Sequence, residues 1–160
     1  MRKYEKAYLQ TPIGLAEIQG DDSGIVSVTV SGGQIEPVTE IAPCLFDCHE
    51  QLREYFEGTR QEFSLVLNPM GTEFQLRVWK ELQNIPYGST ISYLEQARRL
   101  GDERSIRAVA AANGKNPLWI LIPCHRVIGS DGSLTGYAGG VWRKKWLLDH
   151  ECPPSQTSLF

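Results

Sequence analysis

The feature that most constrains this chain is a change of hydrophobic period at Asn68-Pro69-Met70-Gly71. There, alternating apolar and polar residues give way to short helical repeats with capping signals. Before the break, Gly14-Leu15-Ala16-Glu17-Ile18 and Ile25-Val26-Ser27-Val28-Thr29-Val30 alternate on either side of Gly20-Asp21-Asp22-Ser23-Gly24. That pattern reads as an antiparallel hairpin. Leu45, Cys48, Leu52, Tyr55 and Phe56 then recur at helical spacing, and Phe63 to Leu67 reads as a further strand. The expectation is a small α+β lobe over residues 1–69, with the four-residue break as its junction to a second lobe.

After the break, Thr72 and Gln75 have the spacing of a capping box, and Phe74, Val78, Trp79 and Leu82 supply a buried stripe that Ile85-Pro86-Tyr87-Gly88 ends. Ser92 and Glu95 repeat the box, Leu94 and Ala97 carry the helix on, and Gly101 stops it in the manner of a left-handed C-cap. Asp102 caps a third helix, with Ile106, Val109 and Ala110 expected inside and Asn113-Gly114 at its end. Two short helices across a tight glycine turn form a helix-turn-helix pattern. Arg104, Arg107, Ala108 and Ala111 share the outer face, with Ala112 a further small neighbour. Alanines beside a long arginine suit the narrow minor groove of duplex DNA, whereas an alanine-rich packing helix with solvated arginines is the plain alternative.

Charge supports a nucleic-acid partner only through its distribution. The net charge is -3, yet residues 1–69 hold 5 Lys/Arg against 11 Asp/Glu, whereas residues 70–160 hold 11 against 8. Screening limits electrostatic reach to about 8–10 Å at physiological salt, so a local basic face can meet phosphate on an acidic protein. Met1 to Gln10 carries no apolar stretch, and the longest apolar run, Leu118 to Ile122, is too short for a bilayer. A cytoplasmic address without a membrane partner is expected. The four cysteines, Cys44, Cys48, Cys124 and Cys152, lack the density of a disulfide framework and read as reduced thiols. A metal at Cys44, Cys48 and His49 is conceivable, but Cys48 belongs to an apolar stripe, and core packing is the favoured reading.

The chemistry centres on Pro123-Cys124-His125-Arg126-Val127, which follows Asn116-Pro117 and an apolar stretch, Leu118 to Ile122, that reads as a strand. A free thiol is only a few per cent thiolate at neutral pH, so a nucleophilic cysteine needs a base. His125 is the candidate, acting directly or through water, since adjacent side chains often diverge. Val141 to Glu151 reads as a helix stopped by Pro153-Pro154, and its terminal Glu151 is a carboxylate able to fold back to the imidazole.

The same residues resemble a known family, the O6-alkylguanine-DNA alkyltransferases, or methylated-DNA–protein-cysteine methyltransferases. The likeness runs from about Gly71 through Glu151 and takes in Phe74-Gln75-x-x-Val78-Trp79, Ile85-Pro86-Tyr87-Gly88, Ser92-Tyr93, Asn116-Pro117, Pro123 to Val127, Tyr137 to Gly140 and His150-Glu151; the first lobe fits in outline. It implies an α+β chain. An antiparallel sheet and helix of ribonuclease-H-like outline would span residues 1–69, and a mainly helical lobe with a winged helix-turn-helix-type motif residues 70–152, leaving a tail at 153–160. It also implies that Cys124 accepts the alkyl group, that His125 deprotonates it through water, and that Glu151 polarises His125. Asn116 would tie the helix-turn-helix to the active-site turn. Tyr93 would contact phosphate and donate a proton to the departing guanine, and Arg107 would fill the stack after the damaged base flips out, with Ser92, Ala108 and Ala111 on the DNA-facing side. The main chain of Cys124 and Val127 would read the flipped base, while Trp119, Tyr137, Ala138 and Gly139 would line its pocket. Ala138 departs from members with a serine there, so any contact at that position must come from backbone N–H.

The implied reaction makes a thioether that water does not hydrolyse, so one molecule repairs one lesion. No cofactor and no metal is expected. The partner is double-stranded DNA carrying O6-alkylguanine, with O4-alkylthymine as an open extension, and the protein is expected to be a monomer in solution, with cooperative loading on DNA an open alternative. Three rival readings are a damage-binding module that does not react, a thiol hydrolase using Cys124, His125 and Glu151, and a transcription regulator. The retained cysteine argues against the first, Arg107 and the helix-turn-helix against the second, and the lack of an additional metal-binding domain against the third.

Overall fold

The structure is a computed structural model that describes residues 3–33 and 40–153 of the 160-residue chain. Apart from Pro153, the expected tail lies outside the described residues. The chain divides into two compact units, residues 1–70 with 117–121 and residues 71–116 with 122–160.

In the first unit, the expected hairpin forms β2 (Gly14–Asp21) and β3 (Gly24–Ser31), with Ile18 opposite Val28 and a register irregularity at Gln19/Gly20. A strand absent from the sequence reading, β1 (Glu5–Thr11), pairs antiparallel with β2, giving the order β1-β2-β3. Its charges hid it: only Ala7 is buried, while the flanking Lys6 and Tyr8 are exposed. Ala16, Ile18, Val28 and Val30 alternate inward, as a half-buried sheet requires. Against the sheet packs α1 (Pro43–Glu57), which opens on Pro43, buries Leu45, Cys48, Leu52 and Tyr55 along one stripe, and ends at Gly58 with φ 86°.

Two expected strands are absent. Within Phe63–Leu67 only Leu67 makes an isolated bridge, to Ile25, and Val66 is 70% exposed, so this segment has no buried face to hold it flat. Leu118–Ile122 is likewise not a strand. Leu118 bridges to Val28 and the Trp119 N–H donates to the Val28 carbonyl at 3.0 Å, but Ile120 then adopts φ 73° and turns the chain. A β-branched residue in the left-handed region costs on the order of 1–3 kcal/mol; Ile120 is 2% exposed, and its burial offsets that cost.

The second unit begins with α2 (Glu73–Leu82), whose capping box is complete: Thr72 Oγ1 accepts from the Gln75 N–H at 3.1 Å, and Gln75 Oε1 accepts from the Thr72 N–H at 2.9 Å. Its Trp79 is buried, and the indole N–H donates to the Ala112 carbonyl at 2.9 Å. A Cβ on Gly71 would come within 2.6 Å of the Trp79 ring, which explains the glycine there.

Next come β4 (Ile91–Ser92) and α3 (Tyr93–Arg99). The second capping box is only half formed, because Ser92 Oγ accepts from the Glu95 N–H at 3.0 Å while the Glu95 carboxylate pairs with Arg99. Gly101 takes φ 101° as the stop signal requires. Asp102 then caps a 3₁₀ turn, Glu103–Ser105, before α4 (Ile106–Gly114). That turn advances about 120° per residue rather than 100°, so the faces of α4 differ from expectation. Val109, Ala112 and Asn113 are inside and Ala110 is exposed, while Arg104 lies in the turn ahead of the helix. Arg107, Ala108 and Ala111 are exposed as expected. A second 3₁₀ turn, Cys124–Arg126, leads into β5 (Val127–Ile128), which pairs parallel with β4, and α5 (Val141–Glu151) closes the unit.

Removing the Thr72 cap by Thr72→Ala is expected to lower stability by about 1 kcal/mol, and Thr72→Ser to restore most of it. Urea midpoints of the three proteins check this; an unchanged midpoint for the alanine variant would mean that the cap contributes nothing.

Candidate active site

Cys124, His125 and Arg126 are all buried within one 3₁₀ turn. Successive side chains in such a turn diverge by about 120°, and these three find different environments. Behind the sulfur stands Asn116, whose Nδ2 donates to the Ile122 carbonyl at 2.8 Å and to Cys124 Sγ at 3.3 Å. A primary amide has two N–H donors, so one side chain both closes the excursion of residues 117–121 and supports the thiol. The Cys124 N–H donates to the Ile122 carbonyl at 2.8 Å, and its own carbonyl accepts from the Val127 N–H.

His125 turns toward α5. Its Nε2 lies 2.8 Å from Glu151 Oε2, with both side chains essentially sealed from solvent. Arg126 grips the same carboxylate, Nε to Oε1 at 2.8 Å and Nη2 to Oε2 at 3.0 Å, while its Nη1 donates to the Ile85 carbonyl at 2.7 Å. Burial would raise the Glu151 carboxyl, but the hydrogen bonds from His125 and Arg126, with the positive charge of Arg126, outweigh it and hold the group well below the usual carboxylate range. Burial lowers the His125 pKa against the pull of Glu151, so the imidazole favours its neutral form. With Glu151 ionised, Nε2 carries the hydrogen and donates, which leaves Nδ1 as the basic nitrogen. Nδ1 is buried and has no hydrogen-bond partner among the described residues.

Burial pushes the Cys124 thiol up to about 11, and the Asn116 N–H and the positive charge of Lys144 draw it back. Sequence reasoning missed Lys144, a fully buried side chain of α5. Its Nζ donates to Tyr93 Oη at 3.3 Å, to the Thr135 carbonyl at 3.0 Å and to the Gly136 carbonyl at 3.4 Å. A signal existed: Lys144, Leu147 and Glu151 fall on one helical face. Arg126 was missed as the second partner of Glu151, because nothing local indicates that an arginine there is buried.

The sulfur faces a cavity of about 590 Å3 that Tyr93, Arg107, Tyr137 and Ala138 also line, together with Ala110 and Asn113 from α4. This accounts for the exposure of Ala110. The Tyr93 hydroxyl donates to the Thr135 carbonyl at 3.0 Å, and burial raises its pKa, as it does more strongly for Tyr137. Other expected site residues lie elsewhere. Val127 is buried in β5, Gly139 is buried with its carbonyl accepting from Arg143 Nη1, and the Ser92 hydroxyl caps α3. Ala108 and Ala111 are exposed on α4 and do not line the cavity. Trp119 belongs to the first unit, paired with Val28, and is also not a lining residue. Cys48 packs in the core and His49 Nε2 lies 3.1 Å from the Tyr8 carbonyl; among the described residues no cluster of His, Cys, Asp and Glu suits a metal. No helix among them is long and apolar enough to cross a membrane.

A buried cysteine thus stands at a cavity that the helix-turn-helix also helps to line. Comparison with known proteins gives the family. Residues 4–69 match the model described as 6-O-methylguanine DNA methyltransferase, ribonuclease-like domain, and residues 73–152 match its DNA binding domain. The chain belongs to this family of methyltransferases. It is 44% identical over 155 residues to the methylated-DNA–protein-cysteine methyltransferase of Mycolicibacterium paratuberculosis, covering 94% of each chain. It is 45% identical over 148 residues to that of Methanosarcina barkeri, covering 89% of this chain and 94% of the relative. The crystal structure of the Mycobacterium tuberculosis O6-methylguanine methyltransferase matches with a TM-score of 0.83 at 38% identity, over 99% of this chain and all of that one. Mycobacterium tuberculosis OGT in complex with DNA matches with a TM-score of 0.81 at 40% identity, over 96% of this chain and 98% of that one.

Breaking the Glu151 pair by Arg126→Met is expected to cost about 3–5 kcal/mol at neutral pH, since a buried carboxylate loses its two-pronged arginine partner. A carboxyl whose folded pKa is depressed stabilises the fold above its unfolded pKa and loses that contribution as pH falls. The gap between the two proteins should therefore narrow below the ordinary value of 4.5, where the variant's Glu151 takes up a proton and the native one stays ionised. Urea titrations between pH 7 and pH 3 measure it, and a pH-independent gap would contradict the account.

Proposed function

We propose that this protein repairs duplex DNA by taking the alkyl group from O6-alkylguanine onto Cys124 Sγ, once per molecule. The observation that carries the reading is the Cys124 sulfur, held by Asn116 at a cavity whose lining includes Arg107 and Ala110 of α4. An O6 substituent in stacked DNA is out of reach of any side chain, so the base must be extruded, at a few kcal/mol that is smallest for a weakened pair. A cavity of about 590 Å3 lies within the range of about 300–1,000 Å3 usual for small-molecule sites, which supports a purine as its occupant.

In this reading Cys124 loses its proton to His125 Nδ1 through an intervening water, and Glu151, locked by Arg126, holds the imidazole in the tautomer that leaves Nδ1 basic. Thiolate attack on the alkyl carbon forms the S–C bond as the C–O6 bond breaks, and the electron pair stays on the purine. Tyr93, at the cavity wall, donates a proton to the departing base. Arg107 fills the space in the stack, with Ser92, Ala108 and Ala111 along the DNA. Main-chain groups of Cys124 with Tyr137 and Ala138 form the pocket for the base, while Val127 and Gly139 stand outside its lining. Trp119 has no role in it. The protein acts as a cytoplasmic monomer, and O4-alkylthymine is an open extension of its substrate range. A damage-binding module that does not react is disfavoured by the cysteine itself, and a hydrolase by the DNA-binding helix at the same cavity.

Incubation with duplex containing O6-methylguanine should add one methyl group to the peptide bearing Cys124 and then stop; methyl on Cys44, Cys48 or Cys152 instead would refute the assignment. Cys124→Ser should abolish transfer and retain duplex binding. Arg107→Ala should slow transfer from duplex at least tenfold more than reaction with the free alkylated base, and equal losses on both would remove its role in extrusion.

A further inference from the structure

Between α3 and α4 lies a pair of buried amides that alkyl transfer leaves unused. Asn113 of α4 is 7% exposed and Gln96 of α3 is fully buried, and each carboxamide donates to the other at 2.8 Å. The other buried residues of these two helices, Ala97, Val109 and Ala112, are apolar. Two apolar side chains of like volume would pack there at little loss, because replacing both partners of a buried hydrogen bond is close to neutral. Stability alone does not account for an amide pair in this place.

Its position does. The α4 residues that line the cavity are Ile106, Arg107, Ala110, Asn113 and Gly114. They recur at separations of three, four and seven, the spacing of one helical face, so the Asn113 side chain belongs to the stripe that α4 turns to the cavity. The Asn113 main-chain carbonyl also accepts from the Asn116 N–H at 3.3 Å, and Asn116 in turn donates to Cys124 Sγ. The amide is thereby joined to the group that supports the sulfur. A primary amide has two N–H donors and an oxygen with two lone pairs. The reciprocal ring with Gln96 uses one of each on Asn113 and fixes the direction of the other two.

We propose that the Asn113 carboxamide, oriented by Gln96, determines which alkyl groups the cavity accepts: it favours substituents that are small or carry a hydrogen-bonding atom over apolar ones of the same size. This rests on the alkyl-transfer reading and extends it to the substituent. A methyl group sets the least apolar surface against the amide. A longer apolar chain displaces water from the amide without replacing its hydrogen bonds, and a site left with a buried polar group unmatched discriminates against the ligand responsible. A hydroxyl in the same place restores the match. The covalent step is common to all of them, the S–C bond forming at the carbon attached to O6 as the C–O6 bond breaks and the electron pair stays on the purine. Intrinsic reactivity therefore cancels when two proteins are compared on the same two substrates.

The test uses duplexes carrying O6-(2-hydroxyethyl)guanine and O6-propylguanine, whose substituents match in length and differ only in a terminal hydroxyl against a methyl. Single-turnover rates of transfer to Cys124, read by protein mass, give a hydroxyethyl-to-propyl ratio for each protein. Gln96→Leu combined with Asn113→Leu removes both amides and should lower that ratio about tenfold or more. Gln96→Asn combined with Asn113→Gln exchanges the amides and keeps their summed length, so its ratio should stay within about threefold of wild type. A purely structural pair would change stability and both rates together and leave the ratio in place. Gln96→Met combined with Asn113→Ala replaces the leucine pair if that variant does not fold. An unmoved ratio in a folded, amide-free variant overturns the proposal, as does an exchanged pair that loses the preference as fully as the apolar one. If wild type takes no alkyl group from these duplexes or from one carrying O6-methylguanine, the alkyl-transfer reading fails and this inference with it; transfer with an unmoved ratio sinks the inference alone.

Discussion

The second unit depends on one buried carboxylate. Glu151, at the end of α5, accepts from both His125 and Arg126, so a helix terminus and a 3₁₀ turn more than twenty residues apart in sequence are joined by three short charge-assisted contacts. Such contacts stabilise only when nearly every donor and acceptor is matched, because an unmatched buried charge is heavily penalised. Here the match is close to complete: Arg126 has a further acceptor in the Ile85 carbonyl. The same lock fixes the imidazole tautomer, so a structural ion pair and the basicity of Nδ1 have a single origin.

The cysteine illustrates a different balance. Burial raises its pKa, which protects the thiol from adventitious chemistry, while Asn116 and Lys144 pull toward the anion. In the proposed reading, a nucleophile used once benefits from being unreactive until a substrate excludes water and brings its own charge redistribution. The cavity at the sulfur is lined in part by α4, so in the proposed reading the element that meets DNA also lines the chemical site. The buried contact of Trp79 with the Ala112 carbonyl holds α4 to α2, and the reciprocal amide pair of Gln96 and Asn113, 2.8 Å in each direction, holds it to α3. Helix α4 is thereby tied to α2 and α3 in one small core.

How much of this was legible beforehand follows from the range of each signal. Capping residues act within three or four positions, so Thr72, Ser92 and Gly101 marked their helix boundaries correctly, whereas Asp102 caps a 3₁₀ turn ahead of α4 rather than α4 itself. The Ser92 box was overread because Glu95 had a competing partner in Arg99. Alternation found β2 and β3 but missed β1, whose outer face is charged, and it wrongly made strands of Phe63–Leu67 and Leu118–Ile122, where pairing and the Ile120 dihedral decided otherwise. The inner face of α4 was misplaced by a 3₁₀ turn with no local signature of its own.

The sequence by itself determined the two-part α+β organisation, the helix-turn-helix, and the motif around Cys124 from which the family is recognised, because these are set by short-range periodicity, caps and residue identity. Only the tertiary structure decided that Lys144 is sealed behind Tyr93, that Arg126 shares Glu151 with His125, that Ala110 faces the cavity, and that Trp119 belongs to the other unit. Burial and ion pairing depend on which distant segments meet. No local pattern reports whether a lysine is solvated or enclosed, and its chemistry differs entirely between the two.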